Sequence, residues 1–108
     1  MNQERINAAL QLVRIGNRKI NTLRGRVCHG ESQEHFSKKE EIFNTLLAHK
    51  KTVITEAIFE CGLRADIFCL DDFTVYEVAK TESNISLYNK KKKYEEIGIR
   101  FKVVRCGK

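Results

Sequence analysis

The sequence predicts an α/β fold: a mixed central sheet packed by helices, with core order α-β-β-β-α-β and one extra helix in front. Two observations carry this expectation. Three runs rich in β-forming residues, 52–60, 64–70 and 73–80, are separated by tight turns, "CG" at 61–62 and "DD" at 71–72, as in an antiparallel meander. A capped helical stretch at 83–97 then separates the third strand from a fourth at 99–105, which allows a parallel crossover.

Residues 4–24 carry Ile6, Ala9, Leu10, Val13, Ile20 and Leu23 at three- and four-residue steps, with Arg5, Arg14, Arg18, Lys19 and Arg24 mostly off that stripe. A basic amphipathic helix about 30 Å long is expected there, at ~1.5 Å per residue. Gly16 weakens it by about 1 kcal/mol relative to Ala. "GRVCHGESQEH" at 25–35 has two glycines and no periodicity, and is expected to be a loop. The next helix is expected to start at Ser37 as N-cap, with Glu40 in the reciprocal capping position. Ile42, Phe43, Leu46 and Leu47 form its apolar face, and the basic "HKK" at 49–51 suits its C-terminus. After the meander, Ser83 or Asn84 caps the following helix and Gly98 stops it. Leu87, Tyr94 and Ile97 would dock that helix on the sheet. The organisation expected is an N-terminal helix and loop at 1–35 and a core at 36–108, together one domain.

Hydrophobic residues make up 42% and charged residues 31% of the 108, which excludes a disordered chain. No apolar run approaches the roughly 18 residues of a membrane span. "MNQERINAALQLVRIGNRK" lacks the apolar stretch of a signal peptide, so a cytoplasmic protein with no membrane partner is expected. Lys and Arg total 20 against 14 Asp and Glu, a formal charge of +6 that suits a polyanionic partner, nucleic acid first. Cys28, Cys61, Cys69 and Cys106 include no CxxC pair, and reduced thiols are expected. A zinc set of Cys28, His29, His35 and Cys61 lacks knuckle spacing.

The chemistry-bearing stretch is "RADIFCLDDFTVYEVAK", residues 64–80. Alternation puts Arg64, Asp66, Phe68 and Leu70 on one face of the second strand, and Val75, Glu77 and Ala79 on one face of the third. Asp66 lies five residues before Asp71 and Glu77 five after Asp72, so a tight turn brings the two acids toward each other. Paired carboxylates repel, and burial raises the cost of ionising both. A divalent cation relieves this, and Mg²⁺ is commonly held by one or two carboxylates plus substrate phosphate. Such an ion polarises a phosphoryl oxygen, while a nearby lysine offsets charge developing on the phosphate. The competing reading is a surface carboxylate pair bridged to Arg64 and Lys80.

Asp on the second strand, Glu and then Lys on the third, and the αβββαβ order together resemble the PD-(D/E)xK nuclease superfamily over roughly residues 37–105. The style is that of small archaeal Holliday-junction resolvases and other restriction-endonuclease-like domains. The resemblance implies a restriction-endonuclease-like core and a metal-dependent deoxyribonuclease hydrolysing DNA phosphodiester bonds, structure-specific substrates included. It implies Asp66 and Glu77 as ligands of Mg²⁺, with Mn²⁺ as a substitute, and Lys80 as the catalytic amine. It also implies a helix acid, Glu40 or Glu41, with Glu56 on the first strand within reach. Ala65 stands where the family often has Pro. The third-strand motif reads "EVAK", so Lys80 must be brought round by a bulge or strand end near Ala79.

DNA phosphates would be held by Arg14, Arg18 and Lys19 of the first helix, by Arg64, and by Lys90, Lys91, Lys92 and Lys93 of the late helix. The Lys91 stem is expected to pack while its amine approaches the site. Tyr88 and Tyr94 are expected to pack rather than stack on bases. A homodimer is expected, with the first helix as interface or DNA arm. The alternatives are a catalytically degenerate DNA-binding module of the same fold, and a protein-interaction domain with an acidic partner.

Overall fold

The structure is a computed structural model that describes residues 3–25 and 31–106. Helix α1 spans Gln3–Gln11, α2 Gln33–Ala48 and α3 Asn84–Glu96; strands β1 to β4 span Val53–Ile58, Arg64–Cys69, Thr74–Ala79 and Arg100–Arg105. The sheet order is β1-β2-β3-β4, with β1–β2 and β2–β3 antiparallel and β3–β4 parallel. The mixed sheet and its helical crossover are therefore those expected from the turn and cap residues. Ser83 accepts the Ser86 N–H at the start of α3, and Gly98, at φ 80°, follows its end. No helix among the described residues is long and apolar enough to cross a membrane.

Each sheet face carries its own core. Phe43 and Leu46 of α2 pack on Val53, Ile67 and Cys69. On the other face, Ile6 and Ala9 of α1 and Tyr94 of α3 pack with Ile54, Phe68, Leu70 and Val75. Phe59 meets Phe68 and Tyr94 at ring-centroid distances of 5.0 and 5.6 Å, inside the favourable range for aromatic pairs.

Strict alternation fails at one place. Ile54 lies in the α1–α3 core, and so do Ala57 and Phe59, at odd spacings from it. The sense changes at Glu56, whose φ of 52° is left-handed. Across the ladder, Ala65 joins the same core as Phe68, so the change recurs around Asp66. The pairs Thr55↔Ile67 and Ala57↔Ala65 keep one register on either side, which sets Glu56 opposite Asp66. Asp66 therefore does not share a face with Phe68 and Leu70, as alternation suggested; its carboxylate meets His35 of α2.

The long first helix is not formed. α1 ends at Gln11, and residues 12–24 run along the outer edge of β1 as a strap. Asn17 Oδ1 accepts the Ile58 N–H at 2.7 Å, Asn21 Oδ1 accepts the Val53 N–H at 2.9 Å, and the Arg14 N–H donates to the Ile58 carbonyl at 2.9 Å. Asn17, Asn21, Thr22 and Gly16 are poor helix formers, and the open β1 edge offers their backbone other partners. Val13, on the expected helical stripe, is fully buried beside Phe59. The expected 30 Å helix is thus absent; Val13 and Asn17 of the strap are buried, while Ile15 and Ile20 stay exposed.

α2 begins four residues before the expected cap. Ser32 is the N-cap, accepting the His35 N–H at 3.1 Å, and Ser37 sits within the helix. Glu40 has no capping role.

Candidate functional site

The β2–β3 ladder runs from Cys69↔Thr74 to Ile67↔Tyr76 and then stops. One further step in that register sets Asp66 across from Glu77. There the strands part, and the Asp66 carboxylate occupies the gap, its Oδ2 accepting the Val78 N–H at 2.8 Å. The fork opens into a cleft of about 590 Å³, lined by Asp66, Glu77, Glu56, His35, Glu82 and Lys90, with Arg64, Lys80 and Lys93 also on its walls. Asp66 and Glu77 are both buried. Burial first, and the Asp66 charge second, push the Glu77 carboxyl above its usual range; Lys90 opposes both.

The amine that reaches the fork comes from α3. Lys90 Nζ lies 2.8 Å from Glu77 Oε2 and 2.8 Å from Glu82 Oε2. The β3–β4 ladder runs from Thr74↔Arg100 to Ala79↔Arg105 without an extra residue, so there is no bulge at Ala79. β3 ends at Ala79, and the Lys80 amine pairs with Glu34 Oε1 at 3.2 Å in an exposed contact. The Lys80 expectation is corrected in this respect: its amine is engaged by α2, and Lys90 meets the carboxylates.

α2 brings different residues from those expected. Glu40 and Glu41 are exposed, and Glu41 pairs with Lys38 at 2.9 Å. The four-residue steps Glu31, His35 and Lys39 face the fork side instead. His35 Nδ1 pairs with Glu31, and its Nε2 lies 3.4 Å from Asp66 Oδ2. The hydrogen bond to Asp66, only partly offset by burial, raises the His35 pKa above its usual value. Lys39 is fully buried; its amine lies 2.7 Å from Glu56 Oε2 and 3.0 Å from Glu31 Oε2. Glu31, Glu56 and Asp66 have further partners besides these.

The expected phosphate-binding residues separate into two groups. Arg64, Lys90 and Lys93 line the cleft. Lys91 faces away, toward Glu95 at 4.0 Å, and Lys92 lies 5.6 Å over the ring of exposed Tyr88. Arg14, Arg18 and Lys19 sit on the strap and do not line the cleft; the Arg18 guanidinium donates to the Val13 carbonyl at 2.9 Å. Tyr94 packs as expected, and its hydroxyl donates to the Arg64 carbonyl at 2.6 Å, tying α3 to the start of β2.

The Asp66 and Glu77 carboxylates both line the cleft. Among the described residues no group of three or more His, Cys, Asp or Glu side chains forms a metal cage. The pair nevertheless fits Mg²⁺, which takes most of its remaining ligands from water and phosphate. The donor set is the relevant observation: two carboxylates line one cleft, with room beside them for water and phosphate ligands. The zinc set is not assembled from described residues: Cys28 and His29 lie outside them, His35 faces Asp66, and Cys61 is a free, exposed thiol. Cys69 is buried, its thiol pushed up to about 12 chiefly by desolvation. Comparisons of the chain with protein-family models, with curated proteins and with solved structures found no match.

Proposed function

We propose that the chain is a metal-dependent endonuclease of the PD-(D/E)xK type, with a restriction-endonuclease-like core, that hydrolyses DNA phosphodiester bonds at the β2–β3 fork. One observation carries the reading: two buried acids on adjacent strands line one cleft where the ladder opens, with a lysine amine 2.8 Å from one of them. The sheet order and the parallel β3–β4 crossover support the same reading.

Asp66 and Glu77 would hold Mg²⁺ or Mn²⁺, which supplies a positive charge to a phosphoryl oxygen. The Val78 N–H fixes the Asp66 carboxylate in the gap between the strands. Lys90 takes the role that the sequence motif suggested for Lys80, because its amine is at the fork; it offsets negative charge developing on the phosphate. Arg64 and Lys93 on the cleft wall hold neighbouring phosphates and set the register of the strand rather than its sequence. A homodimer acting in the cytoplasm belongs to the proposal.

The test is cleavage of duplex, flap and junction DNA in Mg²⁺ or Mn²⁺. Asp66→Asn and Glu77→Gln should abolish it and keep the native circular dichroism spectrum. Full cleavage by either variant rejects the ligand assignment.

A second reading is a DNA-binding module of the same fold without catalysis. The pairing of Lys80 with Glu34 favours it. Salt-dependent DNA binding with no cleavage in either metal would select it.

A further inference from the structure

Glu82 follows β3 by three residues and lies just before Ser83, the N-cap of α3. Its Oε2 accepts the Ser86 hydroxyl at 2.5 Å and the Lys90 ammonium at 2.8 Å. Ser86 and Lys90 are four residues apart on α3 and so share a face. Lys90 Nζ is therefore shared between Glu77 and Glu82, one on the fork and one on the segment leading into α3. Burial works against the Glu82 charge, but the hydrogen bonds from Lys90 and Ser86 keep its carboxyl below the usual range.

This sharing matters once a divalent cation enters. A cation held by Asp66 and Glu77 would compete with the Lys90 ammonium for the Glu77 carboxylate. An amine with Glu77 as sole acceptor would swing into solvent on its flexible four-carbon stem. An ammonium has three donor hydrogens, so Lys90 can give up one acceptor and keep another. We propose that Glu82 is a positioning residue for Lys90: it retains the amine at the fork when Glu77 turns to the cation, so that the free donors face the substrate phosphate. This rests on the nuclease reading of the fork.

The experiment follows the Lys90 ammonium by ¹H–¹⁵N NMR in the full chain, its signal identified by loss in Lys90→Arg, during titration with Mg²⁺ alone. The side-chain ¹³C carboxylate signals of Asp66 and Glu77 report metal entry. In the unaltered chain the carboxylates should shift while the ammonium stays protected from solvent exchange. In Glu82→Gln the ammonium should be protected before Mg²⁺ and lose protection after it, and Ser86→Ala should lose part of it. Single-turnover cleavage at saturating Mg²⁺ should fall by on the order of 10-fold in Glu82→Gln, the scale for outer partners of a metal site, with KM for DNA little changed.

Loss of protection in the unaltered chain on adding Mg²⁺ overturns the proposal, as does full retention in Glu82→Gln. In both cases the carboxylate shifts would leave the metal reading standing. Absence of any Mg²⁺-induced shift at Asp66 and Glu77 overturns the metal reading, and the role of Glu82 with it.

Discussion

Lys39→Met tests whether the buried charges behind the fork hold the site together. The Lys39 side chain is fully buried, with its amine 2.7 Å from Glu56 and 3.0 Å from Glu31. Glu56 is itself held at φ 52°, a left-handed conformation whose cost for a non-glycine residue is about 1–3 kcal/mol. The ion pair is the visible compensation. Methionine keeps the unbranched stem and much of the volume, so the main loss is the charge. Removing one partner of a buried pair costs roughly 3–5 kcal/mol because the other charge stays behind. Glu31 and Glu56 have further partners, which puts the expected loss at the lower end, about 3 kcal/mol.

Unfolding entropy of about 2.1 cal/mol/K per residue gives roughly 0.23 kcal/mol/K for 108 residues. The expected fall in Tm is therefore about 13 °C, measured by circular dichroism or calorimetry at neutral pH. The double variant Lys39→Met/Glu56→Gln should recover part of it, because only Glu31 of the two carboxylates then faces the missing amine with a full charge. A Tm for Lys39→Met within about 4 °C of the unaltered protein would refute the reasoning, since that is roughly 1 kcal/mol.

Lys90→Ala should lower single-turnover cleavage on the order of 10²-fold, the scale for losing one electrostatic donor, whereas Lys80→Ala should cleave within a few-fold of normal; the reverse order would return the amine to Lys80. The Glu77 carboxyl is raised above its ordinary 4.5 by burial and then by Asp66, so its stabilising protonated form is complete below 4.5 and lost as pH rises through the folded value. At pH 7 the charge thus costs stability, and Glu77→Gln should show an unchanged or higher Tm; a fall of several degrees would contradict this. His35 is raised above 6.5, chiefly by Asp66, so its contribution is complete below 6.5 and lost as pH rises through the folded value. His35→Gln should flatten the decline in Tm above 6.5, and an unchanged slope would dismiss the pairing. Log DNA affinity should fall linearly with log salt, and losing Arg64 or Lys93 should reduce the slope by about one contact, each worth ~0.9 on duplex, whereas Lys91→Ala should leave it unchanged.

The sheet was legible because its signals are local. "CG" and "DD" turn the chain, β-branched and aromatic residues fill the strands, and Ser83 and Gly98 bound α3. The N-terminal segment was misread because Val13, Ile20 and Leu23 satisfy a helical period whether or not a helix forms. What decided the outcome was non-local: β1 needed partners on its outer edge, and Asn17 and Asn21 supplied side-chain oxygens to its N–H groups. Periodicity records which residues are apolar and carries no trace of an edge more than thirty residues away.

The site divides along the same line. Counting outward from one turn places Asp66 and Glu77 at the same end of the two-strand ladder, one step beyond its last pair. The residues that surround them arrive on helices, where one residue of register turns a side chain by about 100°. The family resemblance pointed to Glu40 or Glu41 as the helix acid, and both are exposed, with Lys39, one residue away from Glu40, buried against Glu56. On α3 the same sensitivity acts within a run of four identical residues. Leu87 and Tyr94 bury their side of the helix; Lys90 and Lys93 line the cleft while Lys91 turns toward Glu95. A composition of four lysines cannot distinguish these positions, and Leu87 and Tyr94 place Lys90 and Lys91 on opposite flanks of one buried face; the flank turned to the parted strands is that of Lys90. The amine at the fork is thus specified by the packing of α3 rather than by the strand motif, and Ala79 can fill the buried position after Glu77 without emptying the site of positive charge.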